Sequence, residues 1–212
     1  MATRDPERTQ ARLLEAATAE FAAHGYAGAR IARIAKRAGA NQRMVYHYFG
    51  NKAGLYEAVF IHLDKDMMRR LGPVLGQLGK EPLAALGEAV RRFFDLMRRH
   101  PEYSRLTVAD MLTRKGPLPY EFTERDPGLQ MLTQLRPLIE KGRAQGQLTD
   151  RTDVLLAAVA VMMFCLIYPL VTNRLGPFYD VLGVPAADRD AFAREQLVNL
   201  LLFGVAGPKA KR

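Results

Sequence analysis

An all-α fold is what this sequence predicts, and three observations predict it. Apolar residues recur at helical spacing along most of the chain, while the alternation expected of strands is nearly absent. Gly and Pro punctuate the chain between those stretches. Helix-start signals stand directly before several of them, as in Asp5-Pro6-Glu7, Asn41 and Asn51. With 212 residues, 49% of them hydrophobic, the chain is long enough for a real core.

Asp5-Pro6-Glu7 opens the first helix: Asp caps, Pro sits where its missing donor costs nothing, and Glu suits the positive end of the dipole. Leu13, Leu14, Ala17 and Phe21 mark its apolar face, and His24-Gly25 ends it. A second helix is expected from Arg30 to Ala38, burying Ile31, Ile34 and Ala35, with Gly39-Ala40 as the turn after it. Asn41 caps a third helix, Gln42 to Tyr48, and Asn51 a fourth, Lys52 to Leu71. Two of these helices joined by a tight Gly-containing turn make a helix-turn-helix unit. Beyond Gly72-Pro73 the expected helices are Pro82 to Arg99, Glu102 to Thr113, Gly128 to Ala144, Asp153 to Arg174 and Asp188 to Val205. The aromatic, Pro-containing segments Lys115 to Pro127 and Gly176 to Ala187 read as lids or connectors. The organisation is thus a helix-turn-helix domain with its linking fourth helix over 4–68, a helical domain over 69–206, and a basic tail over 207–212.

Charge is unevenly divided. The first 70 residues carry 12 basic and 7 acidic side chains against 19 and 15 in the rest, within a net charge of +9. From Phe21 to Tyr56 there is no Asp or Glu, while Arg30, Arg33, Lys36, Arg37, Arg43 and Lys52 all fall inside. That asymmetry points to an anionic partner, and nucleic acid over membrane because the segment lacks a broad apolar face. On the third helix Val45 and Phe49 can face inward, leaving Gln42, Arg43, Tyr46 and His47 on the other side. Such a helix suits the major groove, where Arg forks onto guanine, Gln onto adenine, and a ring rests on a thymine methyl.

Residues 8 to about 60 resemble the DNA-binding domain of the tetracycline-repressor (TetR) family. Ile34-Ala35-Lys36-Arg37-Ala38-Gly39 is similar to that family's second helix and turn. Val45-Tyr46-His47-Tyr48-Phe49-Gly50-Asn51-Lys52, with Leu55 following, is similar to its recognition helix and the start of its fourth. The resemblance implies base contacts from Gln42, Arg43, Tyr46 and His47, and phosphate contacts from Tyr48 and Lys52. One departure stands out: the family usually has Ser or Thr just before the second helix, where this chain has Ala29 and Arg30. The side-chain cap is lost there, and Arg30 is expected to reach phosphate or a base instead.

Catalytic patterns are absent. His24, His47, His62 and His100 lack metal-ligand spacing, and no Gly-rich phosphate loop, nucleophile elbow or dinucleotide fingerprint occurs, so neither enzyme chemistry, metal nor cofactor is expected. The single Cys165 excludes an intramolecular disulfide and fits a reducing cytoplasm. Met1 to Arg12 has no apolar segment of the secretory type. Val154 to Val171 runs 18 residues without a charge, long enough to span a bilayer. Its alanines, Tyr168, Pro169 and polar neighbours favour a helix buried between others or across a subunit interface, with Ala160 and Leu166 on the dry side.

In the second domain Phe93, Phe94, Met97, Tyr103, Met111, Met131, Phe164 and Tyr168 supply aromatic and thioether surface suited to an adaptable apolar cavity. Together with the resemblance, these features imply a homodimeric repressor of double-stranded DNA at a palindromic operator, released by a largely apolar small molecule. Leu55, Val59, Leu63 and Met67 form a stripe along the fourth helix that could carry the signal. The alternatives are an architectural or nucleoid-associated DNA-binding protein without an effector, and an enzyme with a helical pocket.

Overall fold

The computed structural model describes residues 6–77, 80–113, 136–137, 139–151 and 153–206. They are helical almost throughout, and the only strand-like pairing among them is one antiparallel bridge between Leu148 and Ala206. The chain clusters into two compact units. One holds the residues up to Asp66 together with the segment from Glu102; the other holds Met67–Pro101 and the C-terminal helices.

In the first unit, α1 (Pro6–Gly28) is broken at Gly25, whose φ of 64° and ψ of 175° leave the helical region where the sequence places its end. After it come α2 (Ile31–Arg37), α3 (Gln42–Phe49) and α4 (Lys52–Leu75). The core they enclose is built from Leu13, Ala17, Phe21, Ile34, Val45, Leu55 and Val59, each 1% exposed or less. Phe21 meets the Tyr56 ring edge-on at 4.9 Å, and Tyr26 meets Tyr56 at 5.0 Å. Edge-to-face pairs of this kind add to what burial of the rings contributes. From α6 (Pro101–Thr113), Leu106 closes the same core and Ser104 and Asp110 are buried beside it.

The fourth helix runs further than expected. Pro73 does not end it; the helix continues to Leu75, and Gly76 N–H still donates to the Gly72 carbonyl at 2.9 Å. A proline forfeits its own donor and crowds the carbonyl four residues back, and burial of Val74 and Leu75 offsets that cost in the last turn. Leu55, Val59 and Leu63 of the expected stripe are buried, and Met67 is half-buried.

In the second unit, α5 (Pro82–Arg99) has the expected bounds and buries Phe93, Phe94, Leu96 and Met97. Residues 139–144 (α7) are helical. The expected helix from Gly128 otherwise lies, up to residue 135, outside the described residues. So do Met131, the Lys115 to Pro127 connector and the tail. After α8 (Val154–Val171), the expected Gly176 to Ala187 connector contains a short helix, α9 (Gly176–Val181). Pro177 in its first turn starts that helix instead of preventing one. Last comes α10 (Arg189–Val205), which packs with α5 and α8.

Three ion pairs tie α5 to α10: Arg91 to Glu195 at 2.8 Å, Arg98 to Asp190 at 2.5 Å and Arg194 to Asp95 at 3.0 Å. The Arg91 and Arg194 guanidiniums together hold the Glu195 carboxyl below its ordinary range. Tyr168 on α8 joins the set, donating to Asp190 at 3.1 Å and accepting from the Tyr179 hydroxyl at 3.2 Å. By length and composition alone α8 could cross a membrane. Only part of it is covered: Cys165, Leu166 and Tyr168 are buried, the packed helix α10 carries Asp190, Arg194 and Glu195, and Leu156, Val159, Phe164 and Ile167 stay exposed.

Candidate nucleic-acid interface

The turn between α2 and α3 sets the geometry. Gly39 at φ 60° takes a conformation that costs other residues a steric clash, and Ala40 N–H then donates to the Ala35 carbonyl at 2.9 Å. Asn41 begins α3 as its cap, its side chain accepting from Arg43 N–H at 2.9 Å. Val45 anchors α3 in the core at 0% exposure, with Phe49, Met44 and Tyr48 half-buried against it. Gln42, Arg43, Tyr46 and His47 are all exposed, Tyr46 at 52%. A helix this short, fixed by one inward residue, turns the rest of its surface to solvent. Arg30 is exposed at the start of α2.

Asn51 caps α4 by accepting from Gly54 N–H at 2.9 Å. Lys52 follows as the first residue of α4 and has a partner at the far end of α1. Its Nζ donates to the Ala27 carbonyl at 3.3 Å and lies 4.9 Å from the centre of the Tyr26 ring. One of three ammonium donors is used in this way, and the side chain is half-buried.

The uncapped start of α2 is completed from outside. The Arg30 side chain makes no capping bond, yet Arg30 N–H donates to Glu20 Oε1 at 3.0 Å, from the preceding helix. The same oxygen accepts from Arg33 Nε at 2.6 Å, while Arg33 Nη2 reaches the Gly28 carbonyl at 2.9 Å. His24 Nε2 lies 3.7 Å from the other carboxylate oxygen. Burial pushes the Glu20 carboxyl up, but the Arg30 N–H and the Arg33 guanidinium outweigh it and hold the group below its ordinary range. Sequence reading did not single out Glu20. Its one available signal was being the last carboxylate before the acid-free window.

The expected effector residues do not share one surroundings. Phe93, Phe94, Met97 and Tyr168 are buried in the second unit, with Phe94 and Tyr168 ring centres 5.0 Å apart. Phe164 stacks on Tyr168 at 5.7 Å but is 43% exposed. Tyr103 belongs to the first unit, packed against its core, and Met111 on the same helix is exposed. A shallow open groove of about 420 Å³ lies elsewhere, between the α9–α10 connection and the Phe192 and Gln196 face of α10.

Leu156, Val159, Ala160, Phe164 and Ile167 form an exposed apolar strip along α8. Leu166, expected on that side, is instead 6% exposed and faces into its own unit. Leu200 and Phe203 add exposed apolar surface on α10, at 68% and 81%.

Comparison with known proteins agrees with this geometry. Residues 13–59 match the family model described as bacterial regulatory proteins, tetR family, and residues 82–196 match that of a tetracyclin repressor-like C-terminal domain. The HTH-type transcriptional repressor SCO4008 of Streptomyces coelicolor is 36% identical over 80% of this chain and 84% of its own length. The HTH-type transcriptional repressor NicS of Pseudomonas putida is 30% identical over 88% of this chain and 86% of its own. Among solved structures, a TetR family transcription regulator from Marinobacter aquaeolei superposes with a TM-score of 0.71 at 21% identity, covering 98% of this chain and 100% of that one.

Proposed function

Because the chain belongs to the tetR family of bacterial regulatory proteins, we propose that it is a cytoplasmic repressor that leaves a palindromic operator when a largely apolar small molecule binds. The observation that carries this reading is α3. A buried Val45 fixes it, and it holds Gln42, Arg43, Tyr46 and His47 outward in a stretch free of carboxylates. In this reading Arg43 and Gln42 read base edges, Tyr46 and His47 contact neighbouring bases, and Arg30, Tyr48 and Lys52 hold phosphates. Lys52 exchanges the Ala27 carbonyl for a phosphate oxygen, aided by the backbone donors of the helix start.

Two copies are needed to read two half-sites about 34 Å apart. The exposed strips on α8 and α10 supply a surface for pairing them about a two-fold axis. The effector binds among the helices of the second unit, against apolar groups such as Phe93, Met97 and Phe164, and favours a conformation in which both half-sites cannot be spanned. Relatives named as repressors support this over an architectural role. Selection of duplexes from a random DNA pool tests the proposal. A two-fold symmetric consensus with half-sites about one helical turn apart is expected; a pool that shows no sequence enrichment overturns it.

A further inference from the structure

We infer that Glu20 is a positioning residue for DNA reading, holding the start of α2 so that the recognition helix is presented at a fixed angle. The inference rests on the DNA-binding reading above. In a capping box, a helix's own third residue sends a carboxylate back to the N–H of its cap residue. Here the third residue of α2 is Arg33 and cannot do so. A carboxylate from α1 makes that bond instead, and Arg33 binds the carboxylate from the position it would otherwise occupy. The capping function has been divided between two helices, so the cap also fastens α2 to α1.

Two consequences follow from one oxygen. Glu20 is 8% exposed and its Oε1 accepts from both Arg30 N–H and Arg33 Nε, so the angle of α2 on α1 is set by a rigid side chain. Because α3 follows α2 through only a four-residue turn, that angle passes directly to Gln42 and Arg43. Arg33 is also withdrawn from the DNA-facing charge. Among the described residues it is the only Arg or Lys of the acid-free window in an ion pair, leaving Arg30, Lys36, Arg37 and Arg43 outward. Glu20 therefore acts on specificity from both sides: it orients the base-reading side chains and removes a cation that would bind any phosphate.

The test compares affinity for the duplex selected by the wild type with affinity for a random-sequence duplex, in Glu20→Ala and Glu20→Gln. Glu20→Ala is expected to weaken the selected duplex about tenfold, while the random duplex binds equally or up to about threefold tighter through the freed Arg33. Glu20→Gln keeps an oxygen for Arg30 N–H and is expected to recover most of the specific affinity, while retaining the added random binding. Amide exchange at Arg30 should quicken in Glu20→Ala, independent of any DNA. A purely structural residue would instead lower both affinities together, in step with the folded fraction. That parallel loss overturns the inference, as does an unchanged ratio in a folded Glu20→Ala, or in Glu20→Gln if the alanine variant does not fold. Absence of any selected duplex for the wild type is a separate failure, that of the DNA-binding reading; the Arg30 exchange rate then decides whether the clamp exists.

Discussion

The Tyr56 hydroxyl donates a 2.8 Å hydrogen bond to the Asp110 carboxylate, joining early α4 to α6 across 54 residues of chain. Both residues are about 5% exposed or less, and Tyr56 also packs edge-on against Phe21, Tyr26 and Phe60. Tyr56→Phe keeps the ring and removes only the hydroxyl. It should cost about 1–3 kcal/mol of stability, read as a lower urea midpoint at unchanged slope. An unchanged midpoint would mean that the carboxylate is served equally well without it.

Arg43 and Lys52 should separate under substitution. In the reading proposed above, Arg43→Ala removes a base contact and should cost about 1–3 kcal/mol, relaxing preference at one position of each half-site. Lys52→Ala should weaken all sequences alike and lower the salt slope by about one per subunit. Binding titrations against salt, with the selected duplex and with single-base variants, distinguish the two. A changed consensus in Lys52→Ala would move that residue from phosphate to base.

Gly54 is required by a close approach. A Cβ there would collide with the Phe49 backbone carbonyl, which cannot move without unwinding the end of the recognition helix. Gly54→Ala should therefore destabilise the fold by about 1–3 kcal/mol despite alanine's better helix propensity. Thermal unfolding measures it, and a higher melting temperature would show that the junction relaxes freely.

Sidedness on α8 predicts different outcomes for adjacent residues. Ile167→Arg and Ala160→Arg place a charge on the exposed strip and should convert dimers to monomers in sedimentation, with the protomer still folded. Leu166→Ala should instead leave assembly intact and destabilise the protomer by about 2–5 kcal/mol. Dimers that survive both arginine substitutions would place the contact on another face.

Cys165 is 1% exposed, and burial pushes its thiol up to about 12. The folded protein should resist alkylation at about pH 8, whereas an unfolded thiol, partly ionised there, reacts. Because the folded-state value is raised, the thiol makes no difference to stability below its unfolded range. Above about pH 8.5 only the unfolded chain gains by ionising, so stability falls with rising pH. Rapid labelling of native protein would show that α8 opens.

Much of this was legible from local chemistry. Asn41 and Asn51 were readable as caps because their side chains act within three residues of themselves. Val45 was readable as the inward residue of α3 from spacing alone, and α5 from Pro82 at its start and His100-Pro101 after it. What escaped notice acts at a distance or lacks contrast. Glu20 is ten residues from the N–H it caps, and no periodicity connects them. Leu166 is buried although spacing alone sets it with Ala160, because a helix without charged residues offers no mark of direction; only packing on α5 and α10 separates it from Ile167. The short α9 lacks contrast because its segment is rich in proline and aromatics, and Pro177 in the first turn is compatible with a helix.

The exposed strip of Leu156, Val159 and Ile167 has a consequence for how much protein a cell must hold. In the pairing proposed above, covering it stabilises the folded chain only when a second copy is near, so the melting temperature should climb with protein concentration by mass action. A newly made protomer at low abundance is then both slower to find operator and nearer to unfolding and degradation than one in an established pool. The level of the protein, and not only its ligand, becomes an input to the switch.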